Sequence, residues 1–126
     1  MSDLKNRISL IEKHAPTLVV SIHQNSYPDP SVIGAQCFYH KESEESEKLA
    51  TLLQNQIITN TRQTKIREIK NNESYYLLKY SPATTAIIEC GFLSSPEEEK
   101  LLLSEAYQDQ MAWAIHLGIL QYLKTS

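Results

Sequence analysis

The chain has 126 residues, of which 41% are hydrophobic and 21% charged, and this balance predicts a single globular domain over residues 1–126. Twelve basic residues, scattered along the chain, and fifteen acidic residues give a net charge of −3, which argues against a nucleic-acid ligand. No apolar run approaches the ~18 residues of a membrane-spanning helix, and no export-signal pattern precedes the first amphipathic segment.

The first half of the chain alternates between helical and extended patterns. Residues 3–14 carry apolar side chains at helical spacing, and the helix is expected to end before Pro16. The run "LVVSI" over 18–22 predicts a strand that stops at His23. A loop with two prolines and a glycine then leads to "AQCFY" over 35–39, a second predicted strand, and residues 43–60 form an amphipathic helix pattern.

The second half contains one strongly apolar strand between weaker signals. "KIREIK" over 65–70 predicts a short exposed strand, whereas 75–80 fits either a short helix or a strand. "TAIIE" predicts a buried strand that ends at Glu89, and Ser95, Pro96 and Glu98 are a cap, a first-turn proline and an N3 glutamate for a helix over 96–103. The last helix, 104–123, presents Met111, Ile115, Ile119 and Leu123 at intervals of four, and the first three are predicted to be buried against the sheet.

This order of elements predicts an α/β fold in which helices cover a mixed or mostly parallel sheet of three or four strands. A chain that opens on a helix lacks the strand that normally leads into it, so we expect N-terminal strands of the complete domain to be missing in front of Met1. The sheet would then have an open edge, which invites pairing with a second copy of the chain or with a partner.

Two polar residues are expected at one edge of this sheet. His23 ends the first predicted strand and Glu89 ends a later one, and parallel strands would bring both side chains to one shared site. An imidazole beside a carboxylate suits either general acid–base work on a nucleophile or metal ligation with the carboxylate activating a water molecule. Taken one at a time, each residue also fits a structural role, as a hydrogen-bonded histidine at a strand end or a glutamate turned to solvent.

The remaining candidates are weaker. His14 lies at a predicted helix C-terminus, His40 follows a strand, and His116 lies among packing residues of the last helix. Cys37 and Cys90 have no C-x-x-C spacing and are expected to be buried free thiols. No serine lies in a G-x-S-x-G turn, so a Ser-His-Asp site has little support.

Two separated motifs resemble a known family. "LVVSIHQNS" is similar to the SIHAN-type strand of the zinc-dependent N-acetylmuramoyl-L-alanine amidases, amidase type 3, and "TAIIECGFLSSPEEEKLL" is similar to that family's strand ending in E-C/L-G-F-L-S/T-N. The resemblance extends from about residue 3 to 123, through "GAQCFYH", "SEESEKLATLLQ" and "YQDQMAWAIHLGILQYL". The E-C-G-F-L-S form followed by an acidic run is especially similar to the sporulation-associated amidases.

The resemblance implies hydrolysis of the amide between N-acetylmuramic acid and L-alanine in peptidoglycan, at the cell wall or otherwise outside the cytoplasm. His23 matches the family's third zinc ligand, and Glu89 matches the catalytic glutamate that works with the zinc-bound water. The first two ligands, a histidine in D-P-G-H-G-G and a glutamate, have no counterpart here. Because a catalytic zinc normally has three protein ligands, this chain alone is expected to bind zinc weakly or not at all, as a partial amidase domain.

Two other interpretations stay open at this point. The chain could be a catalytically inactive module, derived from the amidase fold, that binds cell wall or regulates. It could also be an unrelated α/β domain in which His23 and Glu89 are structural, which would be favoured if their side chains proved far apart.

Overall fold

The computed structural model describes residues 2–125, which form five helices and four strands arranged around one mixed sheet. The sheet has the order β1-β4-β2-β3, with β4 parallel to β1 and antiparallel to β2, and β2 parallel to β3. The elements are α1 Ser2–His14, β1 Leu18–Asn25, β2 Gln36–Tyr39, α2 Glu44–Asn60, β3 Lys70–Asn71, α3 Tyr76–Tyr80, β4 Thr84–Phe92, α4 Pro96–Leu102 and α5 Glu105–Thr125. The predicted α/β fold is confirmed, and of the alternatives left open, three or four strands and a mixed or mostly parallel sheet, the described residues form four strands in a mixed sheet.

β4 is the central strand of the core and is covered on both faces. Its residues from Thr85 to Phe92 are all buried, as its uninterrupted apolar run predicts. Ala86, Ile88 and Cys90 belong to a large cluster with α2 and α5, whereas Ile87 belongs to a smaller cluster with α1 and α3. Alternate residues of β4 therefore face two different helical layers.

The larger layer consists of α2 and α5. Ser43 caps α2, because its side chain accepts a hydrogen bond from the Ser46 N–H. α5 approaches α2 closely at Gly118, where an added Cβ would lie 2.8 Å from Leu53 Cδ2 and 3.0 Å from Leu53 Cα. No helix within residues 2–125 is long and apolar enough to cross a membrane.

The smaller layer places α1 and α3 against the opposite face of the sheet. Ile8 and Ile11 of α1 are buried with Leu77 and Leu78 of α3, and both pairs pack near Ile87. The segment that fits either a helix or a strand in the sequence is therefore the short helix α3. This layer forms one wall of the cleft described below.

The prediction of a strand over residues 65–70 is wrong except at Lys70. Only Lys70 and Asn71 pair, with Phe38 and Tyr39 of β2. The carbonyl of Arg67 instead accepts a hydrogen bond from the Gln54 side chain. In the same way, the Glu68 carbonyl accepts from the Gln36 side chain at 2.8 Å. These side-chain amides take the place of a neighbouring strand for the two carbonyls, which are therefore satisfied without a ladder.

The burial predicted for the last helix is confirmed for Met111 and Ile115 and confirmed in part for Ile119. Met111 and Ile115 are buried, Ile119 is partly buried against the same core, and Leu123 is 45% exposed. Residues spaced by four advance about 40° around a helix at each step, because a turn has about 3.6 residues. The buried face instead follows mixed spacings of three and four: Tyr107, Met111, Ala114, Ile115, Gly118 and Tyr122.

Both cysteines are buried and free, as predicted. Burial raises the pKa of the Cys37 thiol, and it raises that of Cys90 to about 12, with a smaller contribution from the charge of Glu89. Such thiols are poor nucleophiles at neutral pH, so neither is a candidate for covalent catalysis.

Candidate functional site

His23 and Glu89 are direct neighbours across the sheet. They occupy the same register position in the parallel pair of β1 and β4, and both line one cleft. The prediction that the two side chains lie at one edge of the sheet and face one cleft is therefore confirmed. The separation that would have favoured an unrelated α/β domain with structural His23 and Glu89 is not found.

Neither residue ends its strand, which corrects the sequence prediction. β1 continues to Asn25 and β4 to Phe92, with a register irregularity between His23 and Asn25. The Leu93 N–H donates to the Asn25 carbonyl at 2.7 Å just beyond this pair. Backbone pairing continues past the apolar run because polar side chains do not interrupt a ladder, so the site is set slightly back from the strand ends.

The cleft holds about 160 Å³ and lies between the sheet and the smaller helical layer. Its floor comes from β1 and β4, one wall comes from α1, and the other comes from α3 and the residue before it. The lining residues are His23, Ile87 and Glu89 on the floor, Leu4 and Arg7 on α1, and Tyr75, Tyr76 and Leu77 on the remaining wall.

Glu89 is a buried carboxylate with one unpaired oxygen. Glu89 is only 6% exposed, and its Oε1 accepts a hydrogen bond from Tyr75 Oη at 3.3 Å. Oε2 has no hydrogen-bond partner among residues 2–125. Burial raises the pKa of this carboxyl above its usual value, and the nearby His23 and the Tyr75 hydroxyl lower it by less. A carboxylate in this state is a candidate proton acceptor.

Tyr75 holds the carboxylate in place. Its ring packs edge to face on Phe38, with ring centres 5.7 Å apart, and its hydroxyl points to Glu89. Burial and the adjacent Glu89 charge raise the pKa of the Tyr75 hydroxyl, so it stays protonated and donates. His23 is supported from its own strand, where its Nε2 lies 2.8 Å from Ser21 Oγ; the tautomer decides which atom donates.

A second glutamate fixes the end of β4. Glu98 is buried, and its carboxylate accepts hydrogen bonds from the N–H groups of Phe92 at 2.8 Å and Gly34 at 2.9 Å. The sequence assigns Glu98 only to the helix cap, and its backbone N–H does bond to Ser95 Oγ. The carboxylate, however, ties the strand that carries Glu89 to the loop before β2.

The other histidines are not part of the site. His14 is the last residue of α1, His40 accepts a hydrogen bond from the Glu42 N–H through Nδ1, and His116 lies beside Trp113 on the exposed side of α5. None of the three lines the cleft. Within residues 2–125, no three His, Cys, Asp or Glu side chains are grouped closely enough to hold a metal ion.

Sequence reasoning missed Tyr75 and Arg7. The pattern of Leu4, Ile8 and Ile11 on α1 indicates which face of that helix packs inward, and Arg7 adjoins that face by helical spacing. No comparable signal marks Tyr75, because the path of the chain before α3 is not visible in the sequence.

Comparison with known proteins decides the family. The family model described as N-acetylmuramoyl-L-alanine amidase matches residues 1–121. The chain belongs to this amidase family. The family is generally zinc-dependent, and the resemblance stated from the two motifs is confirmed.

Relatives of this amidase-family chain include a germination-specific N-acetylmuramoyl-L-alanine amidase of Bacillus subtilis strain 168. It is 39% identical over 120 residues, which cover 95% of this chain and 50% of the relative. Among solved structures, the CwlD amidase from Clostridioides difficile in complex with the GerS lipoprotein is 40% identical with a TM-score of 0.92, covering 98% of this chain and 62% of that one. An N-acetylmuramoyl-L-alanine amidase from Clostridium difficile 630 is 33% identical, with a TM-score of 0.92 and coverage of 98% and 66%. The chain thus spans about half the length of the Bacillus relative that it matches.

Proposed function

We propose that this chain carries part of the active site of a zinc-dependent N-acetylmuramoyl-L-alanine amidase. The reaction is hydrolysis of the amide bond between N-acetylmuramic acid and L-alanine in peptidoglycan, at the cell wall outside the cytoplasm. The observation that carries the proposal is the pairing of His23 with Glu89 in one cleft, in a chain that belongs to the amidase family. The similarity to a germination-specific relative supports the peptidoglycan of a spore-forming bacterium as the substrate.

The cleft residues suit part of a zinc site. The imidazole of His23 is a common zinc ligand, and the unpaired Oε2 of Glu89 lies on the same side of the sheet, where it can exchange protons. Residues 2–125 contain no cluster of three His, Cys, Asp or Glu side chains that could hold a metal ion, so further ligands would come from outside this range. When bound, zinc supplies Lewis acidity, which polarises the scissile carbonyl and lowers the pKa of a water molecule.

Glu89 is the proposed general base and acid. The pKa of the Glu89 carboxyl is raised, so it lies closer to neutral pH than the pKa of an exposed glutamate. This suits a group that must both accept and return a proton. Tyr75 occupies Oε1, so Oε2 is the oxygen that takes the proton of the attacking water. The same proton then passes to the nitrogen of L-alanine as the amide bond breaks, and the carboxylate is regenerated.

The test uses a hybrid protein in which this chain replaces the matching segment of the Bacillus subtilis relative. Release of the peptide from purified muropeptides would be followed by chromatography. Glu89→Gln should lower the rate by at least about 100-fold, since general acid–base catalysis contributes roughly 10²–10⁴-fold. Glu42→Gln, which changes an exposed glutamate outside the cleft, is the matched control and should keep the hybrid's rate. A Glu89→Gln hybrid that stays within about tenfold of the unaltered one would contradict the assigned role.

One observation favours a second candidate, a module that binds the wall without hydrolysing it. The described residues lack a three-ligand metal cluster, so the cleft could hold a muropeptide without cleaving it. Muropeptide binding by the chain that is unaffected by chelators, together with a hybrid that never hydrolyses, would select this candidate.

A further inference from the structure

Arg7 gives the cleft a positive charge that neither the packing nor the proposed chemistry uses. It lies on the α1 wall, across from the floor that carries His23 and Glu89. Among the described residues that line the cleft, Arg7 alone carries a guanidinium or ammonium group. The packing of α1 depends on its neighbours Ile8 and Ile11, which are buried, whereas the side chain of Arg7 is 49% exposed.

The present partner of Arg7 is a weak one. Arg7 Nη2 lies 3.2 Å from Asp3 Oδ2, one helical turn earlier, and the Asp3 side chain is 76% exposed. Exposed pairs at this spacing contribute little to stability, because water and salt screen the two charges. The guanidinium can therefore exchange Asp3 for another carboxylate at little cost, and its planar fork of donors matches a carboxylate in two-point fashion.

The charge distribution of the cleft gives such a ligand one orientation. Glu89 on the floor repels a second negative charge, and Arg7 attracts it to the α1 wall. The volume of about 160 Å³ equals the liquid share of roughly five water molecules, which accommodates a group about the size of an N-acylated amino acid.

We propose that Arg7 is the carboxylate-binding residue of this cleft, which holds a ligand with its free carboxylate on the α1 wall. The proposal rests on the amidase function and names a contact of that same site. Two carboxylates have the right chemistry: the one at the end of an L-alanine peptide, and the one that amide hydrolysis creates on muramic acid. Both are carboxylates on fragments of the same substrate, and the experiment separates them.

The experiment titrates the ¹⁵N-labelled, zinc-free chain with three probes and follows its amide resonances by NMR. N-acetyl-L-alanine carries the carboxylate, N-acetyl-L-alaninamide is its neutral counterpart of the same shape, and N-acetylmuramic acid carries the carboxylate of the acyl side. We expect at least one acid to bind about tenfold more tightly than the neutral amide, the size of effect that a charge-assisted hydrogen-bonded pair gives. The acid that shows this preference identifies which side of the scissile bond Arg7 holds.

Three variants isolate the guanidinium. Arg7→Gln should abolish the preference for the acid, and the half-exposed position leaves the dispersed spectrum of the folded chain intact. Lys5→Gln removes the same charge from an exposed position two residues earlier on α1, which lies outside the cleft lining, and should keep the preference. Asp3→Asn removes the competing carboxylate and should tighten acid binding severalfold, which tests the idea without altering Arg7.

Several results would overturn the proposal. For the unaltered chain, these results are equal binding of acid and amide, or no binding of either acid. For the variants, they are an Arg7→Gln chain that keeps the preference for the acid, or a Lys5→Gln chain that loses this preference as fully as Arg7→Gln does. The measurement involves neither zinc nor hydrolysis. Its failure would therefore leave the hydrolysis test of Glu89 standing, and failure of that test would leave carboxylate binding intact.

Discussion

Glu89→Gln should make the folded chain more stable at neutral pH, although it removes the proposed catalytic group. Glu89 is almost fully buried, one of its oxygens has no partner among residues 2–125, and burial raises its pKa. Glutamine has nearly the same shape but no charge. The variant therefore removes a cost that folding imposes on the native side chain.

The pH dependence has a definite sign. The folded pKa of Glu89 lies above its usual value of 4.5, so between these two values the folded state binds more protons than the unfolded state. Stability of the native chain then falls as pH rises through this window, and the full cost is present above the folded pKa. The advantage of Glu89→Gln should be largest at neutral pH and above, and should shrink as pH falls toward 4.5.

The size of the effect follows from the missing partner. A buried polar atom without a hydrogen bond costs about 1–3 kcal/mol, and more when it is charged. The glutamine keeps one unpaired atom in the same place but carries no charge, so we expect a net gain of about 1 kcal/mol at neutral pH. For a domain of this length, such a gain raises the melting temperature by about 4 °C.

Urea and thermal denaturation followed by circular dichroism, between about pH 4 and pH 8, would measure this difference. Glu42→Gln, at an exposed loop position, should change stability by no more than about 0.5 kcal/mol. A Glu89→Gln chain that is less stable than the native chain at neutral pH, or whose stability difference is the same across the pH range, would contradict a cost of burying the Glu89 charge.

The packing of α5 makes two further predictions, both measurable by urea denaturation. Ile115→Ala should destabilise the chain by about 2 kcal/mol, the low end for a buried isoleucine, because Ile115 borders an apolar groove of about 200 Å³. Gln121→Ala should be nearly neutral. A damaging Gln121→Ala beside a neutral Ile115→Ala would show that the wrong face of α5 was assigned to the core. Gly118→Ala should destabilise by about 1 kcal/mol, since overpacking against Leu53 costs about 1–3 kcal/mol and the better helix propensity returns about 1 kcal/mol. A stabilised Gly118→Ala chain would mean that α2 and α5 have room to separate.

The central strand and its charged residue could be predicted because their signals are local. The uninterrupted apolar run before Glu89 indicates a strand covered on both faces, and the strand before His23 gives a similar signal. The parallel direction that joins them follows from helical connections. Those steps are enough to place the two side chains in one cleft, as the register of β1 and β4 confirms.

The parts that could not be predicted depend on contacts between distant segments. Gln54 bonds through its side chain to the Cys37 N–H and to the carbonyls of Ala35 and Arg67, which replaces a strand that the alternating pattern favours. Tyr75 reaches the carboxylate only because α3 packs over the sheet. In each case a side chain meets backbone or charge far away in the sequence, where no periodic pattern records it.

Self-association through the sheet edge remains a prediction. β1 has eight residues and lies at one end of the sheet, where β4 is its hydrogen-bonded neighbour in the described strand order. An edge of this length offers backbone groups for pairing.

The central claim is that His23 holds zinc while Glu89 moves the proton, and the zinc content of the hybrid amidase tests it most directly. Metal analysis of purified protein, alongside muropeptide hydrolysis, should find that Glu89→Gln keeps its zinc and loses turnover, whereas His23→Ala loses both. His116→Ala, an exposed histidine on α5, should lose neither. A His23→Ala hybrid that retains a full complement of zinc would contradict the account.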